Sequence, residues 1–352
     1  MMSQSENKIK VEKLGIILQP TENKFEKKSV LNPGIYQEGN NVHIFYRAID
    51  KEFISTVGYA KLEGPTKIIE RWEKPIINIE HPHERKGIED PRITKIDDTY
   101  YMTYVAHDGK NALVALAESK DLKHFKKRGI ISPQMPYDAA ATLFRGCGLK
   151  DAYFMFEAYY EEFSGKDVFI WEKDTVFFPK KINGKYAMLH RILPDIQIIY
   201  FDKFEDLMDN SYWAQYLVRL DKFVLLETEY WFEMRHIGAG APPIETPDGW
   251  LLIFHSTESS NNGRVYRASA ALLDKNNPLK VIGRLDYPLF SPEESWEKTG
   301  LVNNVVFPTG TAIFGDDLYI YYGAADKIIA VAKVSMKELI EELKTKPPKI
   351  GI

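Results

Sequence analysis

The chain has 352 residues, 44% of them hydrophobic and 27% charged, a globular composition with enough apolar material for a large core and none of the bias of a disordered segment. A formal net charge of -4, with Lys and Arg scattered along the chain, supplies no basic field, and nucleic acid is excluded as a partner. No run approaches the ~18 apolar residues of a membrane-spanning helix and the start, MMSQSENKIKVEKLG, holds no apolar stretch of signal-peptide length, so a cytoplasmic protein without membrane contact is expected.

In chain order, five aromatic-rich runs of strand character end near an acid: VHIFYRAID (42–50), YYMTYVAHD (100–108), YAMLHRILPD (186–195), WLLIFHSTE (250–258) and LYIYYGAAD (318–326). Each is followed by a second strand-like run (STVGYAKL, ALVALAESKDL, IQIIYFDKFEDL, YRASAALLDKN, IIAVAKVSMKEL) and preceded by a proline motif (LNPG, EDPR, FFPK, APPI, VFPT). Repeated β-branched and aromatic runs punctuated by Gly, Pro and Asp predict antiparallel strands. Five units in this length are about 70 residues each, enough for a four-stranded blade, so the predicted fold is all-β, a five-bladed propeller forming one domain over residues 1–352. A pair of β-sandwiches is the rival, but it would not need the same punctuation five times. Only the tail, SMKELIEELKTK from Ser335, carries helical spacing, with Leu339, Ile340 and Leu343 on one side and a serine cap.

In a propeller, equivalent points of the repeat face one central channel. Of the five proline motifs only GIEDPRIT holds an acid at the position of Asp90, and a departure from a structural repeat is where function is expected. The bland reading is a turn leading into a strand. Cations are uneven too: Lys173 and Arg191 lie at the ends of the third proline-strand unit, His236 and His255 in the fourth, and Arg47 in the register that holds His255. Each alone could pair with a neighbouring acid such as Asp50 or Asp195; as a set aimed at a channel they suggest an anion. His236 and His255 have no third His or Cys at metal-ligand spacing, so no metal is expected. Cys147 is the only cysteine, which rules out an internal disulfide and a thiolate zinc site, and FRGCGLK offers no base to activate it. With 6 Trp, 20 Tyr and 19 Phe, most rings must be packing, but aromatic rings beside carboxylates also suit a sugar face.

GIEDPRIT, FFPKKINGKYAMLHR, IGAGAPPIETPDGWLLIFH, ASAALLDKNNP, NNVVFPTG and IYYGAAD, in this order between Asn32 and Val334, together resemble glycoside hydrolase family 130. The resemblance implies a five-bladed propeller acting on β-mannosides, in most members an inverting phosphorylase that releases α-mannose 1-phosphate and in a smaller group a hydrolase of β-1,2-mannosides. It implies that Asp90 is the general acid, acting through the 3-hydroxyl of the donor mannose. Lys173, Arg191, His236 and His255 would be phosphate ligands, with Arg47 and Asp326 at the donor sugar. The expected partners are a β-manno-oligosaccharide and inorganic phosphate as co-substrate, with no cofactor; a homo-oligomer is left open. Two departures stand out. His236 occupies a position that is usually Lys in the phosphorylases, which predicts a pH-dependent phosphate site. The segment from Ser132 to Glu172 is longer than expected and would reshape the acceptor side.

One channel acid plus several cations fits phosphorolysis, because phosphate arrives as an anionic nucleophile; inverting hydrolysis needs a second carboxylate as base. Glu258 is the candidate for that base, although it also reads as a blade-end acid like Asp50, Asp108, Asp195 and Asp326. A non-catalytic sugar-binding propeller is the third reading.

Overall fold

The computed structural model describes residues 9–348 except 157–161, 163, 164, 166 and 262. An N-terminal strand, β1 (Glu12–Leu18), precedes five antiparallel units. The first holds β2 (Ser29–Glu38), β3 (Asn41–Ile49), β4 (Ser55–Glu63) and β5 (Lys67–Arg71), and the second β6 (Gly87–Ile96), β7 (Thr99–His107), β8 (Ala112–Ser119) and β9 (Lys126–Ile130). The third holds β10 (Lys173–Phe177), β11 (Tyr186–Arg191), β12 (Ile196–Phe201) and β13 (Val224–Leu226). The fourth holds β14 (His236–Ala239), β15 (Ile244–Thr246), β16 (Gly249–Ser260), β17 (Gly263–Leu273) and β18 (Val281–Arg284), and the fifth β19 (Val306–Phe314), β20 (Asp317–Ala324) and β21 (Ile328–Ser335). β1 completes the fifth unit by pairing with β21, and a single parallel bridge from Ser55 to Gly87 joins the first two units.

The aromatic runs are the second strands β3, β7, β11, β16 and β20. They read as nearly continuous apolar sequence because both of their faces are covered. Successive side chains point to opposite faces: Ile44 joins Tyr321 and Val331 in a core between the first and fifth units, whereas Phe45 joins Ile88 and Met102 between the first and second. Further cores lie between the third and fourth units, around Leu189 and Leu252, and between the fourth and fifth, around Ile253 and Ile320. Neighbouring units also touch through hydrogen bonds. Thr103 Oγ1 on β7 donates to Thr175 O on β10 at 2.6 Å, and Thr309 Oγ1 on β19 to Pro33 O on β2 at 2.8 Å. Two glycines permit close backbone approaches between units, since a Cβ on Gly34 would lie 2.7 Å from Pro91 O and one on Gly240 2.6 Å from Pro308 O. Contact thus runs from unit to unit and returns from the fifth to the first.

A buried glutamate precedes each first strand, within three residues in four units and by nine in the fifth: Glu26, Glu84, Glu172, Glu233 and Glu297, all 0% exposed. In the second unit Glu84 accepts from Tyr104 Oη (2.8 Å), Lys127 Nζ (2.6 Å) and the backbone N–H of Glu80 and His81. Tyr46 and Arg71 do the same for Glu26, and Tyr322 and Lys13 for Glu297. Glu233 takes Arg284 and two backbone N–H groups. The third unit differs, with Glu172 held by His190 Nδ1 at 3.0 Å and by the backbone of Arg191. Each carboxylate therefore ties a leading turn to its own sheet, in most units through the second strand and the outermost one.

Two expectations are corrected. The proline motifs are not equivalent: Pro33, Pro91 and Pro308 lie within first strands, but Pro179 follows β10 and Pro242 and Pro243 follow β14. The ladder sets the true register. It breaks at Leu31/Gly34, Glu89/Arg92 and Lys173/Val176, and the bulges hold Asn32, Asp90 and Asp174 in the left-handed region, with φ of 47°, 50° and 57°. Asx side chains tolerate that region better than most others. Asp90 is therefore not the odd member, because the third unit carries Asp174 at the same place. The tail helix Met336–Thr345 is present, capped by Ser335 and burying Leu339, Ile340 and Leu343, but it is not alone. Helices Tyr137–Phe144 and Asn210–Leu217 bury residues at spacings of three and four and pack against the third unit.

Breaking a buried pair by removing one partner is strongly destabilising. Glu84→Ala strands Tyr104 and Lys127, and a loss of about 3–5 kcal/mol in urea unfolding is expected, against about 1 kcal/mol for Tyr104→Phe. Burial opposes ionisation of Glu84, but Lys127, the backbone of Glu80 and Tyr104 hold its carboxyl below the usual range. Its contribution is therefore present above the ordinary carboxylate pKa and is lost as pH falls through the lowered value. In the Ala variant that part of the acid-side slope of stability should disappear.

Candidate active site

The bulges of the first three units converge on a cavity of about 280 Å³ whose wall includes Arg47, Asp90, Lys173, Arg191, His236 and Asp326. Six of the eight residues predicted from the sequence are thus brought together from all five units.

One end of the cavity is acidic. Asn32 Nδ2 donates to Asp90 Oδ1 at 2.9 Å, and the Arg47 guanidinium reaches the same oxygen at 3.4 Å. Neither contact uses Oδ2. Glu89, which sequence reasoning left without a role beyond the turn, accepts from Arg47 at 2.7 Å and from Lys173 at 3.1 Å. Burial works against its charge, but Arg47 and Lys173 bring its carboxyl down to about 2. Asp326 goes the other way. Burial pushes it up to about 6, against Arg47 and helped by the charges of Asp90 and Glu89. Asp326 therefore exchanges its proton closer to neutral pH than an ordinary aspartate does. Arg92 holds the bulge from behind, donating to Gly240 O at 2.7 Å and to Asp90 O at 2.9 Å.

The other end is cationic. Arg191 meets Asp174 at 2.5 Å, and Arg235 and Arg264, which the sequence reading missed, join the wall beside His236. His236 shows their combined field: burial first, then Arg191, His255, Arg235 and Arg264, hold its imidazole well below the ordinary histidine range. Its Nε2 lies 3.1 Å from Thr257 Oγ1, while its buried Nδ1 has no hydrogen-bond partner among the described residues. Trp171, Leu193, Val305 and Phe307 supply an apolar side.

Four expectations need correction. The cations are not unpaired, since Arg47 and Lys173 share Glu89 and Arg191 takes Asp174. His255 is fully buried and does not line the cavity; it sits behind Gly238, 3.8 Å from Asp174 and with its ring centre 4.4 Å from that of Phe307, tilted by 33°, with burial taking it down to about 3. Its β-strand neighbours, not a channel, receive its ring. Glu258 is also outside the cavity, its carboxylate paired with Arg267 at 2.8 Å. Finally, His236 is buried rather than exposed, and burial together with Arg191, His255, Arg235 and Arg264 opposes its protonation, so the free site lacks the exposed, readily protonated histidine that was expected.

A buried acid end facing a cationic end across one cavity suits a reaction in which a proton is delivered at one side and an anion is held at the other. No helix among the described residues is long and apolar enough to cross a membrane, and no cluster of three His, Cys, Asp or Glu there could hold a metal.

Comparison with known proteins agrees with this chemistry. The chain is 34% identical over 334 residues to a 1,2-beta-oligomannan phosphorylase of Thermoanaerobacter sp. (strain X514), covering 92% of this chain and 96% of the relative. It is 36% identical over 340 residues to a beta-1,2-mannobiose phosphorylase of the same organism, at the same coverage. The solved structure of beta-1,2-mannobiose phosphorylase from Listeria innocua shares the fold, with a TM-score of 0.72 at 22% identity over 96% of this chain and 100% of that one. A family model described as beta-1,4-mannooligosaccharide phosphorylase matches residues 7–345. The chain belongs to glycoside hydrolase family 130.

Proposed function

We propose that the protein is an inverting phosphorylase that removes a terminal mannose from β-1,2-linked manno-oligosaccharides, using inorganic phosphate and releasing α-mannose 1-phosphate. In this reading the five units are the blades of a five-bladed propeller forming one catalytic domain, and the cavity lies at its axis. The observation that carries it is the division of that one cavity into an acid end, with Asp90 and Asp326, and a cationic end, with Arg191 beside Arg235, Arg264 and His236.

A phosphate oxygen attacks the anomeric carbon from the face opposite the leaving oxygen; the C–O bond to the rest of the chain breaks, and a proton passes to the leaving oxygen. Asp90 supplies that proton, relayed by the 3-hydroxyl of the donor mannose, and Asn32 and Arg47 fix its carboxyl through Oδ1. Arg47 and Asp326 hold the donor sugar. Arg191, a bidentate donor, and the uncommitted Nδ1 of His236 take the phosphate with Lys173. His255 positions Phe307 and Asp174 rather than touching the anion. Hydrolysis has less support, because Glu258 is engaged with Arg267 away from the cavity. No cofactor enters the reaction.

Three measurements test this. β-1,2-Mannobiose incubated with and without phosphate should give mannose 1-phosphate only with it; free mannose at full rate without phosphate would overturn the reading. Asp90→Asn keeps the shape and loses the proton, and turnover should fall by about 10²–10⁴-fold with unfolding unchanged. Arg191→Ala should raise the KM for phosphate roughly 10- to 100-fold and that for the mannoside little, since a charged hydrogen bond is lost on the anion side only.

The raised carboxyl of Asp326 predicts a pH dependence. If ionised Asp326 accepts from sugar hydroxyls, kcat/KM for the mannoside declines as pH drops below about 6, and Asp326→Asn removes that bend. A carboxyl raised by burial makes its ionised form unfavourable to the fold, so the same variant should unfold at a higher temperature than the parent at pH 8.

A further inference from the structure

Glu89 stands behind the cavity rather than in its wall. Its Oε1 accepts from the Arg47 guanidinium at 2.7 Å and its Oε2 from Lys173 Nζ at 3.1 Å, and these two cations, not Glu89, line the cavity. The side chain of Glu89 is 9% exposed, against 19% for Arg47 and 24% for Lys173. The ladder places it there: Glu89, opposite Val105, is the last residue paired before the bulge that carries Asp90. One carboxylate thus ties a strand of the first unit, through Arg47, to a strand of the third, through Lys173.

The two cations can respond to each other only through that carboxylate. Arg47 is hinged at Nε, which donates to Ser55 Oγ at 2.9 Å; one of its outer nitrogens is on Glu89, and the other is a looser 3.4 Å from Asp90 Oδ1. Lys173 Nζ lies 5.7 Å from the ring centre of Trp171 in the cavity wall, so it stands between Glu89 and the open site. Asp90 and Asp326 also draw on Arg47, and His107 adds to the field at Glu89. A buried carboxylate is costly without a partner. When an anion takes up the charge of Lys173, Glu89 leans on Arg47 alone and fixes the guanidinium, which then meets a sugar hydroxyl as an oriented donor with less ordering left to do.

We propose that Glu89 is a positioning residue that couples the two substrates: phosphate at Lys173 tightens the mannoside at Arg47, and the mannoside tightens phosphate in return. Resting on the phosphorolytic reading of the cavity, this coupling favours the ternary complex over a site that holds the mannoside alone, the state in which water would be the only nucleophile. Linkage requires the two effects to be equal in size.

Sulfate, which matches phosphate in shape and charge but is a far weaker nucleophile, serves as the probe in calorimetric titration. β-1,2-Mannobiose should bind roughly 5- to 10-fold more tightly when sulfate saturates the protein, within the usual range of coupling between sites, and sulfate should gain by the same factor when mannobiose saturates it. Glu89→Gln removes the charge and should abolish both gains. Glu89→Asp keeps the charge but is one methylene too short to reach Arg47 and Lys173 together, so it should abolish them too, and it carries the comparison if the Gln variant does not fold. Weaker binding of both ligands with the gains intact would leave Glu89 a structural role only and overturn the proposal. A parent in which neither ligand affects the other overturns it without any variant, and if that parent still forms mannose 1-phosphate from phosphate, the phosphorylase stands and the coupling falls. Release of mannose without phosphate, alongside reciprocal gains that vanish in Glu89→Gln, would remove the phosphorylase and keep the coupling.

Discussion

A carboxylate cannot remain charged inside a protein unless several groups reach it, and this chain buries one at the start of every unit. That constraint organises the rest. Glu84 can be satisfied only if the turn that carries it, Tyr104 on the second strand and Lys127 on the outermost strand all arrive together, so sheet formation and turn formation become one event. The next strand then begins at a defined place. Six positions separate Glu26 from Asn32 and Glu84 from Asp90, so in the first two units the buried glutamate stands at a fixed distance from the bulge, whereas in the third Glu172 lies only two positions before Asp174. The last carboxylate of the series, Glu297, recruits Lys13 of the N-terminal strand, and closure of the fifth unit is thereby written into the same interaction.

The cavity inherits its polarity from this scaffold. The bulges of the first three units present Asn32, Asp90 and Asp174, one amide and two acids, at equivalent positions. Their neighbours decide what each becomes: Asp174 is consumed by Arg191 and Arg92, whereas Asp90 keeps one oxygen clear of Asn32 and Arg47. The same residue type at the same backbone strain is structural in one unit and available for chemistry in the next. Raising Asp326 while lowering Glu89 separates two carboxyls that face the same guanidinium, so burial and neighbours, not residue type, set the charge each one carries.

Much of this was legible before any coordinates. The five aromatic strands, their order and the tail helix follow from periodicity, and Arg47, Asp90, Lys173, Arg191, His236 and Asp326 were found by motif and register. The misses share a cause: proline was used as the ruler. Pro179 and Pro243 lie beyond their first strands, which hid the equivalence of Asp174 to Asp90. A better ruler was present in the aromatic–glutamate pairs Phe25-Glu26, His83-Glu84, Trp171-Glu172, Phe232-Glu233 and Trp296-Glu297; four of those five aromatic residues are rings of apolar type, so each pair reads as packing until the burial of its acid is seen. His255 was over-assigned because strand alternation gives a face, not a depth. Arg235 and Arg264 were missed because they come from a turn and a strand end with no repeat to mark them.

The way the anion end is charged also bears on which nucleophile it serves. A histidine held neutral by burial and by three arginines contributes a directed hydrogen bond but no charge, so the positive potential comes from guanidinium groups whose ionisation does not change at working pH. Water gains little from such a field, being uncharged when it binds, and a base would still have to take its proton. Phosphate arrives with its charge and needs no base. The nearest carboxylate to this end, Asp174, is already neutralised by Arg191, which keeps it from repelling the anion and disqualifies it as a base in the same step. Phosphorolysis is thus favoured less by the presence of any one cation than by the way the neighbouring acids have been spent on other partners.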